Sequence, residues 1–161
     1  MNKRRWIFVL TLLVTLIVIV YVFIFAQVGE TSQQSLAIAR VQFSTGHEIL
    51  VEVADALSEQ VQGLSFRQGL EDDKGMLFTY DEKDERLFWM KDMLFSIDII
   101  WIVDSVIVGV EREVPPTGVN ETPKIYVSPV DVDMVLEVPA GWMSLQGIEV
   151  GAHIKVTDVR E

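Results

Sequence analysis

Residues 6–25 form an uninterrupted apolar run, and no other feature constrains the chain as strongly. The run reads WIFVLTLLVTLIVIVYVFIF and contains no charged residue. A helix of about 20 residues, rising about 1.5 Å per residue, spans the roughly 30 Å hydrocarbon core of a bilayer. A lone segment in lipid must satisfy its own backbone polar groups, which only a helix does. The sequence therefore predicts one N-terminal transmembrane helix over residues 6–25.

Basic residues flank this run on one side. Lys3, Arg4 and Arg5 precede it, and the next basic residue is Arg40. The positive-inside rule then places residues 1–5 in the cytoplasm. We therefore expect a single-pass protein of the cell membrane, with a linker over residues 26–36 and an extracytoplasmic domain over residues 37–161. The competing interpretation is a signal peptide cut near Ala26, although the run exceeds the about 7–15 apolar residues usual for one.

Composition excludes several function classes. The chain has no cysteine, which rules out disulfides, thiol catalysis and thiolate metal sites. Leaving out the three basic residues before the apolar run, 10 of the 13 basic residues remain against 24 acidic ones, a net charge of about −14. Such a surface repels nucleic acid and anionic lipid headgroups, so we expect neither as a partner.

The chain after the linker has mainly the alternation of β-strands. Residues 37–44 and 48–54 alternate around Thr45-Gly46 and predict a hairpin. The spacing of Leu57, Val61 and Leu64 predicts one face of a short helix. Ser58 and Glu59 stand where side chains can meet the unpaired N–H groups of its first turn.

Further strands are predicted to the end of the chain. They cover residues 75–80, 87–90, 97–103, 106–113, 125–127, 134–138 and 152–159, with a helical turn at 142–145. The strand over residues 97–103 is apolar apart from Asp98, which predicts burial on both faces. Many short strands with at most two short helices predict a mostly β domain, a sandwich or a barrel.

Several motifs in this region carry a family resemblance. They are Gly63-Leu64 with Phe66-Arg67, Gly75-Met76-Leu77-Phe78, Phe88-Trp89-Met90-Lys91, Ile97-Asp98-Ile99-Ile100 and LEVPAGW at residues 136–142. In this order and spacing, residues 38–159 resemble the domain of unknown function 192 family. The resemblance implies an antiparallel β-sandwich or jelly-roll-like domain with one or two short helices. It implies no biochemical activity.

The chain departs from the family pattern in one loop. Many members resemble PPC-x4-CP after the second central strand, whereas Thr117 and Thr122 occupy the two cysteine positions here. Any role that rests on that cysteine pair, whether a disulfide, a metal site or redox chemistry, is absent from this chain.

Two features are candidates for a binding site. In a strand, Phe88 and Met90 face one side while Trp89 and Lys91 face the other, so one pair can line a pocket while the other enters the core. Asp98 is a lone carboxylate among isoleucines and needs partners, either a cation (Arg67 or Lys91) or backbone donors. Plain core packing and a structural ion pair or capped loop remain the alternatives. The predicted ligand-binding residues are Arg67, Trp89, Lys91, Asp98 and Tyr126.

Other chemistries have little support in the sequence. His47 and His153 lie far apart in the chain and have no motif-level serine partner. The methionines include no clustered motif for a soft metal, and methionine commonly fills cores. We therefore predict no metal and no cofactor, and favour a tethered binding or scaffold domain with an unknown protein or small-molecule ligand. The alternative is an envelope enzyme or metal-handling module around Asp98, Arg67 and residues 88–91.

Overall fold

The computed structural model describes Thr15, Leu16, residues 18–21, residues 36–118 and residues 121–158. The predicted N-terminus, most of the predicted transmembrane helix and nearly all of the linker lie outside the described residues. Thr15, Leu16 and residues 18–21 are helical. Within the described part of the chain, no helix combines the length and the apolar character needed to cross a bilayer. The chain divides into two compact units, Met1–Ser35 and Leu36–Glu161.

The second unit is mostly β, as predicted. Its strands are β1 (Ala37–Phe43), β2 (Glu48–Ala54), β3 (Lys74–Asp84), β4 (Leu87–Trp89), β5 (Ile97–Val103), β6 (Val106–Val114), β7 (Ile125–Val127), β8 (Val132–Pro139) and β9 (Ile154–Asp158). Its two short helices are α1 (Leu57–Gln62) and α2 (Trp142–Leu145). The predicted hairpin is therefore confirmed as β1 and β2.

The strands form a seven-stranded sheet in the order β6-β5-β8-β3-β2-β1-β9 and a two-stranded sheet of β4 and β7. The prediction of an antiparallel sheet is wrong for one pair, because β2 and β3 are parallel. Parallel neighbours need a crossover connection, and the segment containing α1 supplies it. The larger sheet is therefore mixed.

The two edges of the larger sheet meet. Val106 at the start of β6 forms an isolated bridge with His153, just before β9. The amide of Ile107 donates to the carbonyl of Ala152 (3.0 Å), and the amide of Ile154 donates to the carbonyl of Ser105 (2.9 Å). Because these bonds join β6 to the segment leading into β9, one sheet curls around a core and its edges are covered.

Two cores lie on opposite faces of this sheet, and β5 contributes to both. Ile100 and Ile102 belong to the first core, whereas Ile97, Ile99 and Trp101 belong to the second. The prediction that this strand is buried on both faces is confirmed, since every residue from Ile97 to Ile102 is buried. We call the face that carries the second core the outer face; Phe88, Met90 and Met93 pack against it from β4 and the loop that follows.

Helix α1 does not use the apolar face that its spacing predicted. Leu64 is buried, but Leu57 and Val61 are 77% and 65% exposed. Gln60 turns inward instead and donates its side-chain amide to the carbonyl of Thr79 (2.9 Å). The predicted role of Glu59 is confirmed, because its carboxylate accepts from the amide of Ala56 (3.1 Å). A polar contact with the backbone of β3 thus orients this short helix.

Candidate functional site

A cleft of about 230 Å³ opens on the outer face, between α1, its following loop, β3 and β4. Its lining includes Gln60, Ser65, Tyr80, Phe88, Trp89 and Glu137. The cleft thus combines aromatic walls with a few polar groups, which is the usual composition of small-molecule sites.

The loop after α1 forms one wall. Gly63 ends the helix at a φ of 48°, which favours glycine. A Cβ at that position would lie 3.4 Å from the ring of Phe78, in ordinary contact. The hydroxyl of Ser65 donates to the carbonyl of Lys91 (3.2 Å), and the amide of Phe66 donates to the carbonyl of Asp92 (2.9 Å). These two bonds tie the loop to the segment after β4.

Strand β4 supplies the aromatic part of the cleft. The ring of Phe88 meets Phe78 edge-on at 4.9 Å and Trp101 at 5.6 Å between ring centroids. Such pairs contribute about 0.5–1.5 kcal/mol each beyond area burial. Trp89 faces the opposite way and is 53% exposed. The predicted alternation is therefore observed: Phe88 and Met90 join the core, while Trp89 stays accessible at the cleft.

Glu137 of β8 is the unusual group in the lining. The residue is only 6% exposed, and its neighbours on the flanking strands are the buried Met76 and Ile99. Its Oε2 atom is buried and has no hydrogen-bond partner among the described residues. Burial raises the pKa of Glu137 to about 8, while the charge of Arg67 acts in the opposite direction. A buried carboxyl without a donor therefore faces the cleft.

Tyr80 of β3 lies close enough to Glu137 for that carboxyl to affect the pKa of Tyr80. Burial raises the pKa of Tyr80 to about 12, the charge of Arg86 opposes that rise, and Glu137 adds to it. The guanidinium of Arg86 lies 3.8 Å from the centroid of the Tyr80 ring. This distance is typical of a cation–π contact.

Arg67 is bound to Glu52 of β2. Its two terminal nitrogens donate to the two carboxylate oxygens at 2.9 and 2.5 Å, and this hydrogen bonding raises the pKa of Arg67. Glu52 stands opposite Met76, which in turn stands opposite Glu137. Glu52 and Glu137 therefore lie on the same face of the sheet, two strands apart. Arg67 forms a bidentate ion pair with Glu52.

Asp98 accepts hydrogen bonds from backbone amides and is not paired with either predicted cation, Arg67 or Lys91. Its Oδ1 atom accepts from the amides of Glu113 (2.8 Å) and Gly141 (3.0 Å), and its Oδ2 atom accepts from the amide of Met143 (3.2 Å). The side chain is fully buried opposite Val138 of the first core, away from the cleft. The structure therefore gives Asp98 the contacts of a capped loop.

The remaining predicted site residues are not brought together. Lys91 is exposed, and Tyr126 is buried in the second core opposite Phe88. Lys124 places its Nζ 4.4 Å from the centroid of the Tyr126 ring. Of the five predicted residues, Trp89 lines the cleft, and the charge of Arg67 lowers the pKa of Glu137.

Sequence reasoning missed Glu137. The signal was present, because Glu137 interrupts the apolar run from Val135 to Val138 just as Asp98 interrupts the run of isoleucines. As for metals, the described residues contain no group of three or more histidines and carboxylates placed to hold an ion. The prediction of a metal-free site therefore stays a prediction.

Comparison with solved structures places the domain among known folds. A provisionally described transcription regulator from Sinorhizobium meliloti 1021 is similar over 78% of this chain and 98% of its own, with 29% identity and a TM-score of 0.71. A protein of unknown function from Novosphingobium aromaticivorans DSM 12444 is similar over 78% of this chain and 89% of its own, with 28% identity and a TM-score of 0.66.

Sequence comparison assigns the family. None of the curated proteins is significantly similar to the chain. The DUF192 family, described as "Uncharacterized ACR", matches residues 39–156. That match takes in most of the larger sheet, the cleft, Asp98 and Glu137, and it agrees with the motifs identified from the sequence. The chain therefore belongs to the DUF192 family.

Proposed function

We propose that this protein is a membrane-tethered binding domain whose outer-face cleft takes a small ligand outside the cytoplasm. The observation that carries the binding role is Glu137, a buried carboxyl with an unpartnered oxygen in the wall of an aromatic cleft. A buried carboxylate without a donor is destabilising by several kcal/mol. Groups with strongly shifted pKa values concentrate at functional sites. In this proposal, the ligand supplies the partner that Glu137 lacks.

The cleft supports binding better than catalysis. The alternative site around Asp98, Arg67 and residues 88–91 loses its basis, since Asp98 bonds to three backbone amides and Arg67 bonds to Glu52. In the cleft itself, the hydroxyl of Ser65 already donates to a carbonyl oxygen. Ser65 is thus not paired with Glu137 in the way that a nucleophile is paired with its base in covalent catalysis.

The tether and its orientation rest on the sequence. Residues 6–25 are apolar and uncharged, and the basic residues before them place the N-terminus inside the cell. Tethering would confine the domain near the membrane and raise its effective concentration for neighbours there. The acidic composition disfavours nucleic acid as a partner, even though one structural relative is described as a regulator of transcription.

Mass spectrometry tests the binding role. The full-length chain, purified from its host in mild detergent, is expected to carry a small molecule that native mass spectrometry detects. The Glu137→Gln variant, purified in parallel, is expected to carry less. A chain without any retained molecule in several preparations, with identical spectra for the variant, would contradict ligand binding at the cleft.

Cysteine labelling tests the tether. Because the chain lacks cysteine, Thr45→Cys in the exposed β1–β2 turn supplies one unique thiol, and Asn2→Cys supplies the matched control. A membrane-impermeant maleimide on intact cells is expected to label Thr45→Cys, and to label Asn2→Cys only after permeabilisation. The reverse pattern would overturn the orientation. Recovery of Thr45→Cys in the medium without residues 1–25 would show that the segment is cleaved.

A further inference from the structure

We infer that the cleft selects a small organic ammonium ion, which places its charged nitrogen against Glu137 and its apolar part against Trp89 and Phe88. This inference rests on the proposed binding function and names the chemistry of the ligand.

The carboxyl of Glu137 determines which chemical group the ligand must carry. An ionised carboxylate only accepts hydrogen bonds, so its partner has to be a donor. Two polar side chains of the lining are already engaged: Gln60 donates to Thr79, and Ser65 donates to Lys91. Both terminal nitrogens of Arg67 donate hydrogen bonds to Glu52. An ammonium group supplies donors and a compensating charge together, and charge-assisted bonds are roughly twice as strong as neutral ones.

The walls favour a cation as well. Ammonium and guanidinium groups bind to aromatic faces, and two tyrosine rings of the outer face are already in contact with a cationic side chain. Arg86 lies over Tyr80 at 3.8 Å, and Lys124 lies over Tyr126 at 4.4 Å. Trp89 is 53% exposed at the cleft and is available to a ligand. The chain's net charge of −11 further raises the local concentration of cations.

The volume limits the ligand's size. The cleft holds about 230 Å³, which is below the roughly 300–1,000 Å³ of sites for drug-sized molecules. A single ring or a short chain bearing one ammonium group suits this space. A free amine and a lysine side chain of a peptide share this chemistry, and titration with one compound of each kind separates them.

Binding should also depend on pH in a defined direction. An ammonium ion stabilises the ionised form of Glu137, whose pKa in the unliganded protein is about 8. The charged or titratable groups around it are Arg67 after α1, Tyr80 on β3 and, behind Arg67, Glu52 on β2. The pKa of Arg67 is raised and that of Tyr80 is raised to about 12, so neither of these two groups changes charge between pH 6 and 8. Affinity should therefore rise about tenfold or more from pH 6 to pH 8, as Glu137 ionises.

Three probes with one ring and different head groups test the assignment by isothermal titration calorimetry. They are 2-phenylethylammonium, 2-phenylethanol and phenylacetate, applied to the full-length chain in detergent at pH 8. The ammonium compound is expected to bind at least tenfold more tightly than the other two. Nα-acetyl-lysinamide is added in a separate titration: tighter binding than 2-phenylethylammonium identifies a lysine side chain as the ligand, and weaker binding identifies a free amine.

Two variants with equal net charge provide the control. Glu137→Gln should weaken binding of 2-phenylethylammonium at least tenfold, whereas Glu85→Gln, at an exposed position, should leave it unchanged. Thermal melting of both variants verifies that they fold, and the rise in affinity from pH 6 to pH 8 should disappear in Glu137→Gln alone.

The outcomes separate the two proposals. Equal binding of all three phenyl probes, or binding that survives Glu137→Gln, would overturn the ammonium assignment and leave the binding cleft in place. Absence of ammonium binding up to millimolar concentrations would overturn the assignment as well. If native mass spectrometry also finds no retained molecule, the proposed binding function fails with it.

Discussion

Two buried carboxylates on neighbouring strands of one sheet have opposite environments. Asp98 of β5 pairs opposite Val138 of β8, and Glu137 is the next residue along β8. Successive residues of a strand face opposite sides, so Asp98 lies on the side of the first core and Glu137 on the outer face. Asp98 accepts three backbone hydrogen bonds, whereas the buried oxygen of Glu137 accepts none from the described residues.

The difference separates a structural carboxylate from a candidate binding group. Asp98 joins the end of β6 to the start of α2, because its donors are Glu113, Gly141 and Met143. Its burial is compensated by the protein itself. Glu137 is almost as enclosed, yet it lines the cleft and its buried Oε2 atom has no donor among the described residues, so we propose that a ligand supplies one. The same substitution, carboxyl to amide, should therefore have opposite effects at the two positions.

Asp98→Asn should have the largest effect. An amide keeps one acceptor oxygen, but its NH₂ group would face a backbone N–H that Asp98 now satisfies. Losing charge-assisted bonds and leaving a buried donor unpaired should lower the free energy of unfolding by about 3–4 kcal/mol. Urea denaturation at pH 8 measures this loss. A change of less than about 0.5 kcal/mol, the range of ordinary surface substitutions, would show that the backbone bonds contribute nothing.

Glu137→Gln should act in the other direction, and only at high pH. Folding raises the pKa of Glu137 from its ordinary value near 4.5 to about 8, so the folded state holds the proton more tightly than the unfolded state. The contribution of this carboxyl to stability is therefore fully present below pH 4.5, is lost progressively as pH rises from 4.5, and is gone once the pH has passed 8. Relative to the wild type, the variant's free energy of unfolding should therefore gain about 3 kcal/mol more at pH 8 than at pH 5.

Urea denaturation of both proteins at pH 5 and pH 8 isolates this effect, because all other titrating groups are shared. A gain that is the same at both pH values would mean that ionisation of Glu137 is not what the substitution removes. A loss at pH 8 would mean that the carboxylate has a partner in the folded protein, and the contrast with Asp98 would disappear.

Arg67→Met should have the smallest effect on stability. The side chains of Arg67 and Glu52 are 33% and 34% exposed, and solvent screens such pairs to about 0.5–1 kcal/mol. The pKa of Glu137 should rise further, because the charge that opposes the rise is gone. A double-mutant cycle with Glu52→Gln measures the pair, and a loss as large as that of Asp98→Asn would show that Arg67 compensates Glu137 as well as Glu52.

Local structure followed closely from residue patterns. The alternation in residues 37–44 and 48–54, the apolar run at 97–103 and the helical turn at 142–145 all correspond to observed elements. The parallel pairing of β2 and β3 did not follow, because it depends on where the α1 crossover returns the chain. The exposed Leu57 and Val61 show the same limit: their spacing predicts one helical face, but Gln60 bonds to β3.

The candidate site was predictable only in part. A lone carboxylate in an apolar strand signals a buried acid at Asp98 and at Glu137 alike, and the sequence does not say which of them finds donors. The donors of Asp98 come from residues 113, 141 and 143, which only the folded topology brings to it. The partner of Arg67 could not be predicted from the sequence either, because the pairing of β2 with β3 determines where Glu52 lies.

The most direct test is a ¹³C NMR titration of the Glu137 carboxyl, assigned by comparison with Glu137→Gln. The resonance should titrate with a midpoint near pH 8, and 2-phenylethylammonium should move that midpoint downwards because the cation favours the ionised form. A midpoint near the ordinary 4.5 would contradict the account, since Glu137 would then be compensated within the protein as Asp98 is.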